Sequence, residues 1–221
     1  LRCLGGGADY GSELTVSALR WGFWRAPIDN DAMGYPPLRD EWRERHFHHF
    51  VHHTRDVQVT ETGVLVRSHA APVGRGFGFE LSYLWEAVGT DLHLTATATP
   101  VGVWPDLPLP RIGLDLVLDR PTAEVDWFGQ GPGESYPDAA AAGWIGRHHA
   151  TLDDFQTPYV MPQENGHRAN TTQFALKLDG GPTLEVTSAK PLGFTARPWS
   201  TETLEQATYT HQLQPDGRTH V

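Results

Sequence analysis

The sequence predicts an all-β fold, a large antiparallel β-sandwich in a single domain over residues 1–221. Three observations carry that expectation. Runs of alternating apolar and polar residues recur along the chain, the mark of strands with one buried face. The 17 prolines and 23 glycines leave room for long connections between those runs. No regular alternation of strand and helix patterns appears, which argues against a parallel sheet. With 221 residues the chain can bury a core without crosslinks.

The elements follow in chain order. Residues 1–9 are glycine-rich and give no clear strand. Residues 37–53 carry Leu38, Trp42, Phe47 and Phe50 among charges and predict one or two surface helices. Period-two alternation predicts strands over 63–68 (GVLVRS), 77–87 (FGFELSYLWEA), 91–99 (DLHLTATAT) and 111–118 (RIGLDLVL). In the third of these, Leu92, Leu94, Ala96 and Ala98 share one face. The VGRGFGF stretch at 73–79 lacks the GK[ST] of a phosphate-binding loop and reads as a hairpin turn. Residues 173–178 (QFALKL) and 183–188 (TLEVTS) flank Asp179-Gly180-Gly181-Pro182, a hairpin around a glycine turn. Residues 201–207 (TETLEQA) predict a short helix with Thr201 at its N-cap. Residues 217–221 read as the start of a strand. Both ends look cut, since a strand left there has an unpaired edge, and a fragment of a longer polypeptide is expected. No internal repeat or low-complexity linker is present.

Composition narrows the partners. The net charge is −10, from 27 acidic and 17 basic residues, which repels phosphate backbones and argues against nucleic acid. No apolar run approaches the ~20 residues of a membrane helix. The opening residues lack the basic-then-apolar order of a secretory signal. The one cysteine, Cys3, forms no internal disulfide, and a reducing, cytoplasmic address is expected. Asn170-Thr171-Thr172 matches a glycosylation triplet, a pattern that arises often by chance. Eight tryptophans and six tyrosines suit sugar rings, although most must serve the core.

Three segments break the alternation and concentrate polar groups: 23–31 (FWRAPIDND), 127–138 (WFGQGPGESYPD) and 157–168 (TPYVMPQENGHR). Glycine and proline shape such loops, and loops on a rigid scaffold commonly hold function. The candidate site residues are Arg25, Asp29, Asn30, Asp31, Glu134, Tyr136, Asp138, Glu164, Asn165 and Arg168. Arginine and carboxylate can form bidentate bonds that lock loop geometry. Glu134 and Glu164 are expected as partners of Arg25 or Arg168.

Other readings of these residues compete. Glu134 and Glu164 could form a glycosidase pair, which needs carboxyls about 5–9.5 Å apart, a distance sequence does not give. His46, His48, His49, His52 and His53 would place pairs at i, i+4 on a helix, a zinc spacing. The glutamate of HExxH is missing, so a solvated face and no metal are expected. His167 and Glu164 could serve as acid and base of a mutarotase.

The three loop segments also resemble a known family. RAPIDND resembles the RAPxDND motif of the small-chain, or fifth, domain of glycoside hydrolase family 2 β-galactosidases. WFGQGPGESYPD and TPYVMPQENGHR resemble two further motifs of that domain, in the same order and at similar spacing. The resemblance implies a supersandwich fold of the galactose-mutarotase-like kind, and a parent that hydrolyses terminal β-D-galactosides such as lactose. It also implies that the catalytic glutamates lie in a separate TIM-barrel domain of the parent chain, for which 221 residues leave no room. No catalytic residue and no cofactor are then expected here; the family's Mg and Na belong to other domains. The implied partners are that barrel and galactosides, with a role in homo-oligomer contacts also open. The implied role is to bind or frame the sugar pocket. Trp199 in ARPWS does not match the family's pocket tryptophan, which lies further along. By position Gly74, Gly76 and Gly78 resemble a mobile loop near the active site. A stand-alone carbohydrate-binding module and an aldose 1-epimerase-like enzyme are the two alternative readings.

Overall fold

A computed structural model describes residues 14–221; the opening stretch read from sequence, with Cys3, lies outside the described residues. The fold is all-β with antiparallel sheets, as the sequence predicts. Its strands are β1 (Arg20–Gly22), β2 (Phe50–Val59), β3 (Gly63–Pro72), β4 (Phe77–Val88), β5 (Asp91–Gly102), β6 (Gly113–Asp115), β7 (Val117–Leu118), β8 (Thr122–Gly131), β9 (Trp144–Thr151), β10 (Arg168–Leu178), β11 (Thr183–Phe194) and β12 (Thr219–His220). Two short helices, α1 (Leu38–Glu44) and α2 (Thr201–Gln206), join them. Among the described residues, no helix is long and apolar enough to cross a membrane. The described residues divide into two compact units, residues 21–113 and a second formed by 114–221 with residues 14–20.

In the unit 21–113, β2, β3, β4 and β5 form an antiparallel meander in sequence order. Period-two alternation turns Phe79, Leu81 and Tyr83 of β4 to one face, where all three are buried. Phe23 stacks on Phe79 at 4.3 Å between ring centres, and Trp104 lies 4.7 Å from the same ring. Beside them Trp42, Phe47 and Phe77 form an aromatic core with Trp24, Leu38 and Leu109.

The helix predicted over 37–53 is corrected to α1 alone. Leu38 and Trp42 satisfy the helical spacing within α1, and Trp42 is buried, as is Phe47 in the turn that follows. Trp42 Nε1 donates to the Pro108 carbonyl at 2.8 Å. The chain then reverses: His46 takes a left-handed φ of 62°, and residues from Phe50 onward pair with β3. Val51, Thr54, Val57 and Val59 favour that extended backbone. His48 consequently sits in a turn while His52 and His53 lie on opposite faces of β2, and the i, i+4 histidine spacing is not formed.

The glycines at 74–78 also divide. Gly74, at φ +70°, belongs to the β3–β4 turn. Gly78 lies within β4, where an added Cβ would run into the Ala70 carbonyl oxygen and the Ala71 side chain. It permits close strand approach rather than a hinge. Gly78→Ala is therefore expected to cost about 1–3 kcal/mol through overpacking. Urea unfolding checks this, and an unchanged midpoint would refute it.

In the second unit the strand order is β11-β10-β8-β9, with β12 and β7 forming a small separate sheet. The core joins Leu14, Leu116 and Leu118 to Val125, Trp127, Phe155, Phe174, Leu176 and Phe194. The β10–β11 hairpin is where the sequence places it, and Gly180 takes φ +60° at its turn. The strand predicted over 111–118 is interrupted: it yields β6 and β7, with Leu116 between them turned into the core. Residues 219–220 do form a strand, with Thr219 opposite Leu118. The cap of α2 is Ser200, one residue earlier than predicted; its side chain accepts from the Thr203 N–H at 3.1 Å. Ser200→Ala should cost about 1 kcal/mol, measurable as a lowered Tm, whereas Thr201→Ala should cost less.

Candidate functional site

The segment 23–31 builds one polar cluster, in the unit 21–113. Arg25 and Asp31 form a bidentate pair, Nη1–Oδ2 at 2.6 Å and Nη2–Oδ1 at 2.9 Å. Asp31 Oδ2 also accepts from the Ile28 N–H at 2.8 Å, which closes the 3₁₀ turn Asp29–Ala32. Arg25 Nε donates to the Pro110 carbonyl at 2.9 Å, and its guanidinium lies 5.2 Å over the Trp42 ring. One buried carboxylate thus fixes an arginine that ties the turn to the 104–110 loop. Asp29 and Asn30 sit on the exposed side of this turn.

The segments 127–138 and 157–168 meet in the second unit. Ser135 N–H donates to the His167 carbonyl at 2.8 Å, and Ser135 Oγ accepts from Ala169 N–H at 2.7 Å. Glu134 Oε2 accepts from Gly166 N–H at 3.0 Å, and Oε1 accepts a short bond from the Tyr159 hydroxyl. Gly166 has φ +76°, a conformation that glycine adopts without strain. Asn165 closes its own loop: Oδ1 accepts from Thr157 N–H at 3.1 Å, and Nδ2 donates to Gln163 O at 2.9 Å.

Glu164 is paired with Arg197 through two bonds, at 2.8 and 3.1 Å. Both side chains are only 4% exposed. Arg197 in turn exchanges backbone bonds of 2.9 Å with His220 of β12. A single ion pair therefore fastens the QENG loop to the strand pair at residues 197 and 220.

Arg168 takes a different solution. Its guanidinium lies 4.1 Å from the Phe155 ring centre and 5.2 Å from that of Trp127, with Nη2 donating to the Phe155 carbonyl at 3.3 Å. Its Nε and Nη1 meet no acceptor among the described residues. Burial pulls the guanidinium down to about 10, while Glu134 and Tyr136 push it back up. It remains charged at neutral pH. The Tyr136 ring stacks on His167 at 5.3 Å. Burial, with Glu164 and Glu134 nearby, holds the Tyr136 hydroxyl far above the usual phenol range, so it stays protonated. Asp138 is exposed.

Several expectations are corrected by this geometry. The carboxylate partner of Arg25 is Asp31, and that of Glu164 is Arg197; neither Glu134 nor Glu164 pairs with Arg25 or Arg168. Glu164 is sealed in its ion pair, which is unsuited to the general base of a mutarotase. Arg197 is the residue that sequence reasoning missed. Its signal was an arginine inside the apolar run from Phe194 to Trp199, where a buried charge demands a partner.

The comparisons with known proteins agree with these motifs. The family model described as "Beta galactosidase small chain" matches residues 7–221. The chain belongs to this family. Among curated relatives of this small chain, the β-galactosidase of Arthrobacter sp. strain B7 is 30% identical over 214 residues, 86% of this chain and 21% of that protein. The β-galactosidase of Aeromonas hydrophila is 31% identical over 96% of this chain and 21% of its own length. That of Vibrio cholerae is 47% identical over 76 residues, 33% of this chain and 7% of its own. The small chain thus spans about a fifth of the length of the first two relatives. Within it, Arg25–Asp31 and Glu164–Arg197 are the two fixed points of the family-like loops.

Proposed function

We propose that the chain frames the sugar pocket of a β-galactosidase that hydrolyses terminal β-D-galactosides such as lactose. In this reading the acid and nucleophile carboxylates come from a TIM-barrel domain of the same polypeptide, and this domain holds loops at the pocket rim. The observation that carries it is the commitment of both motif glutamates to loop structure. Glu164 is sealed with Arg197, and Glu134 holds Gly166 N–H and the Tyr159 hydroxyl. Bond cleavage in a glycoside needs one carboxyl able to give a proton and another facing the sugar. Neither glutamate is free for those tasks, whereas both suit a rigid rim that orients a substrate.

The test pairs two samples. The 221-residue chain alone should hydrolyse no nitrophenyl β-galactoside and should not speed the interconversion of α- and β-galactose. The full-length polypeptide should hydrolyse the galactoside, and Arg197→Ala in that context should lower kcat/KM. Mutarotation by the chain alone would overturn the reading. So would full activity in an Arg197→Ala enzyme whose QENG loop has demonstrably loosened.

A further inference from the structure

The meander β2-β3-β4-β5 is covered at one end and open at the other. On its inner face, successive cross-strand rows run from His52, Ala70, Phe79 and Pro100 to Thr54, Ser68, Leu81 and Ala98. Val57, Val66, Tyr83 and Ala96 follow, and then Val59, Val64, Trp85 and Leu94. Ala87 and Leu92 end the series. The centre of the first rows is buried, at Ala70, Phe79, Ser68 and Leu81: Phe23 stacks on Phe79, and Trp21 N–H donates to the Tyr83 hydroxyl at 2.9 Å. Burial then fades along the sheet. Val57 is 59% exposed, Val59 85% and Leu92 47%, and Trp85 and Leu94 are only half-buried.

The face does not turn polar where the cover stops. The last rows are apolar from edge to edge, with no charge on that face. The opposite face of the same strands is different. It is mostly polar, carrying the Arg67–Asp56 pair at 3.0 Å, Glu80 bound by Arg55 and His69 at 3.1 Å each, and Thr95, Thr97 and Thr99, with Leu65 and Leu84 as its apolar members between Gln58 and Thr95. Strands with one polar and one apolar face are built to bury the apolar one. A contiguous apolar patch on a sheet, rimmed by polar groups, marks an interaction surface.

We infer that the face formed by Val57, Val59, Val64, Trp85, Leu92 and Leu94 is a docking surface for the remainder of the β-galactosidase polypeptide. The inference rests on the proposed function for the existence of that remainder. It is supported by the relatives, in which a region like this chain makes up about a fifth of the protein. The occupant is therefore an apolar surface of another domain of the same molecule. It is not a sugar, whose hydroxyls would find one donor, the Trp85 indole N–H, and no side-chain acceptor among these six residues.

Cysteine labelling of the full-length protein tests this. Val59→Cys and Leu92→Cys report on the apolar face. Gln58→Cys, the next residue on the same strand, reports on the polar one. All three are exposed in the structure, so the substitutions leave the fold of the sheet intact. Maleimide should label Gln58→Cys at least ten times faster than the other two, at every protein concentration. Equal rates would overturn the docking surface. Protection that disappears on dilution, as oligomers dissociate, would assign the face to a second copy and overturn the named occupant. Galactoside hydrolysis by the same samples reports on the proposed function separately: an inactive protein with protected cysteines would sink that function and leave the docking surface standing.

Discussion

Arg197→Ala is expected to destabilise the second unit by about 3–5 kcal/mol, the usual cost of leaving a buried charge without its partner. The argument turns on asymmetry. With both side chains 4% exposed, the Glu164–Arg197 pair has lost its water, and two hydrogen bonds at 2.8 and 3.1 Å replace it. Removing the arginine strands the Glu164 carboxylate, itself only 4% exposed, without its partner. Removing both charges together does not. The double variant Glu164→Gln with Arg197→Met should lose much less than Arg197→Ala alone, because no ion is left buried. Urea denaturation of the two variants measures the difference. If Arg197→Ala unfolds at the parent midpoint, the pair is not what holds the QENG loop.

Arg168→Ala carries the second large effect, for a different reason. Arg168 is 2% exposed and has no carboxylate within salt-bridge distance among the described residues. Its contribution is the volume and charge it sets against Phe155 and Trp127. A desolvated cation over an aromatic face gains ~2 kcal/mol, and truncating a large buried side chain adds a cavity cost. Against this stands the burial that pulls its guanidinium down to about 10, a sign that the charge is held at some cost. The net expectation is a loss of about 2–4 kcal/mol for Arg168→Ala. Arg168→Met keeps most of the volume and sheds the charge, so it should lose less than half as much. Equal losses in the two variants would show that the cation, rather than the packing, dominates.

The sequence makes some elements plain and hides others for physical reasons. β3, β4, β5, β10 and β11 are legible because apolar side chains alternate with polar ones along each. β9 is silent because its half-buried positions are Gly146, His148 and Ala150, which carry little hydrophobic signal. β8 is disguised by Gly129 and Gly131, whose missing side chains make room for Thr171 and His148. β2 follows a real helix, and Phe47 and Phe50, three apart, continue an apparent helical pattern past the point where His46 reverses the chain. At the site, the loops were legible from their mixture of glycine, proline and charge, and Arg25–Asp31 lies within one motif. The Glu164–Arg197 pair spans 33 positions, and no local pattern can join residues that far apart.

The division of the chain has a consequence for the order of assembly. Leu14 and Leu19 precede the whole unit 21–113, yet they pack on the core of Leu118, Trp127 and Leu176 that follows it. The meander needs only contacts between neighbours in sequence, a topology that closes quickly. During synthesis at roughly 5–20 residues per second, it can be complete before the strands that receive Leu14 have left the ribosome. For that interval the two leucines have no destination. Within this region the order of folding departs from the order of synthesis, and the leucines just ahead of the meander are among the last to find their place.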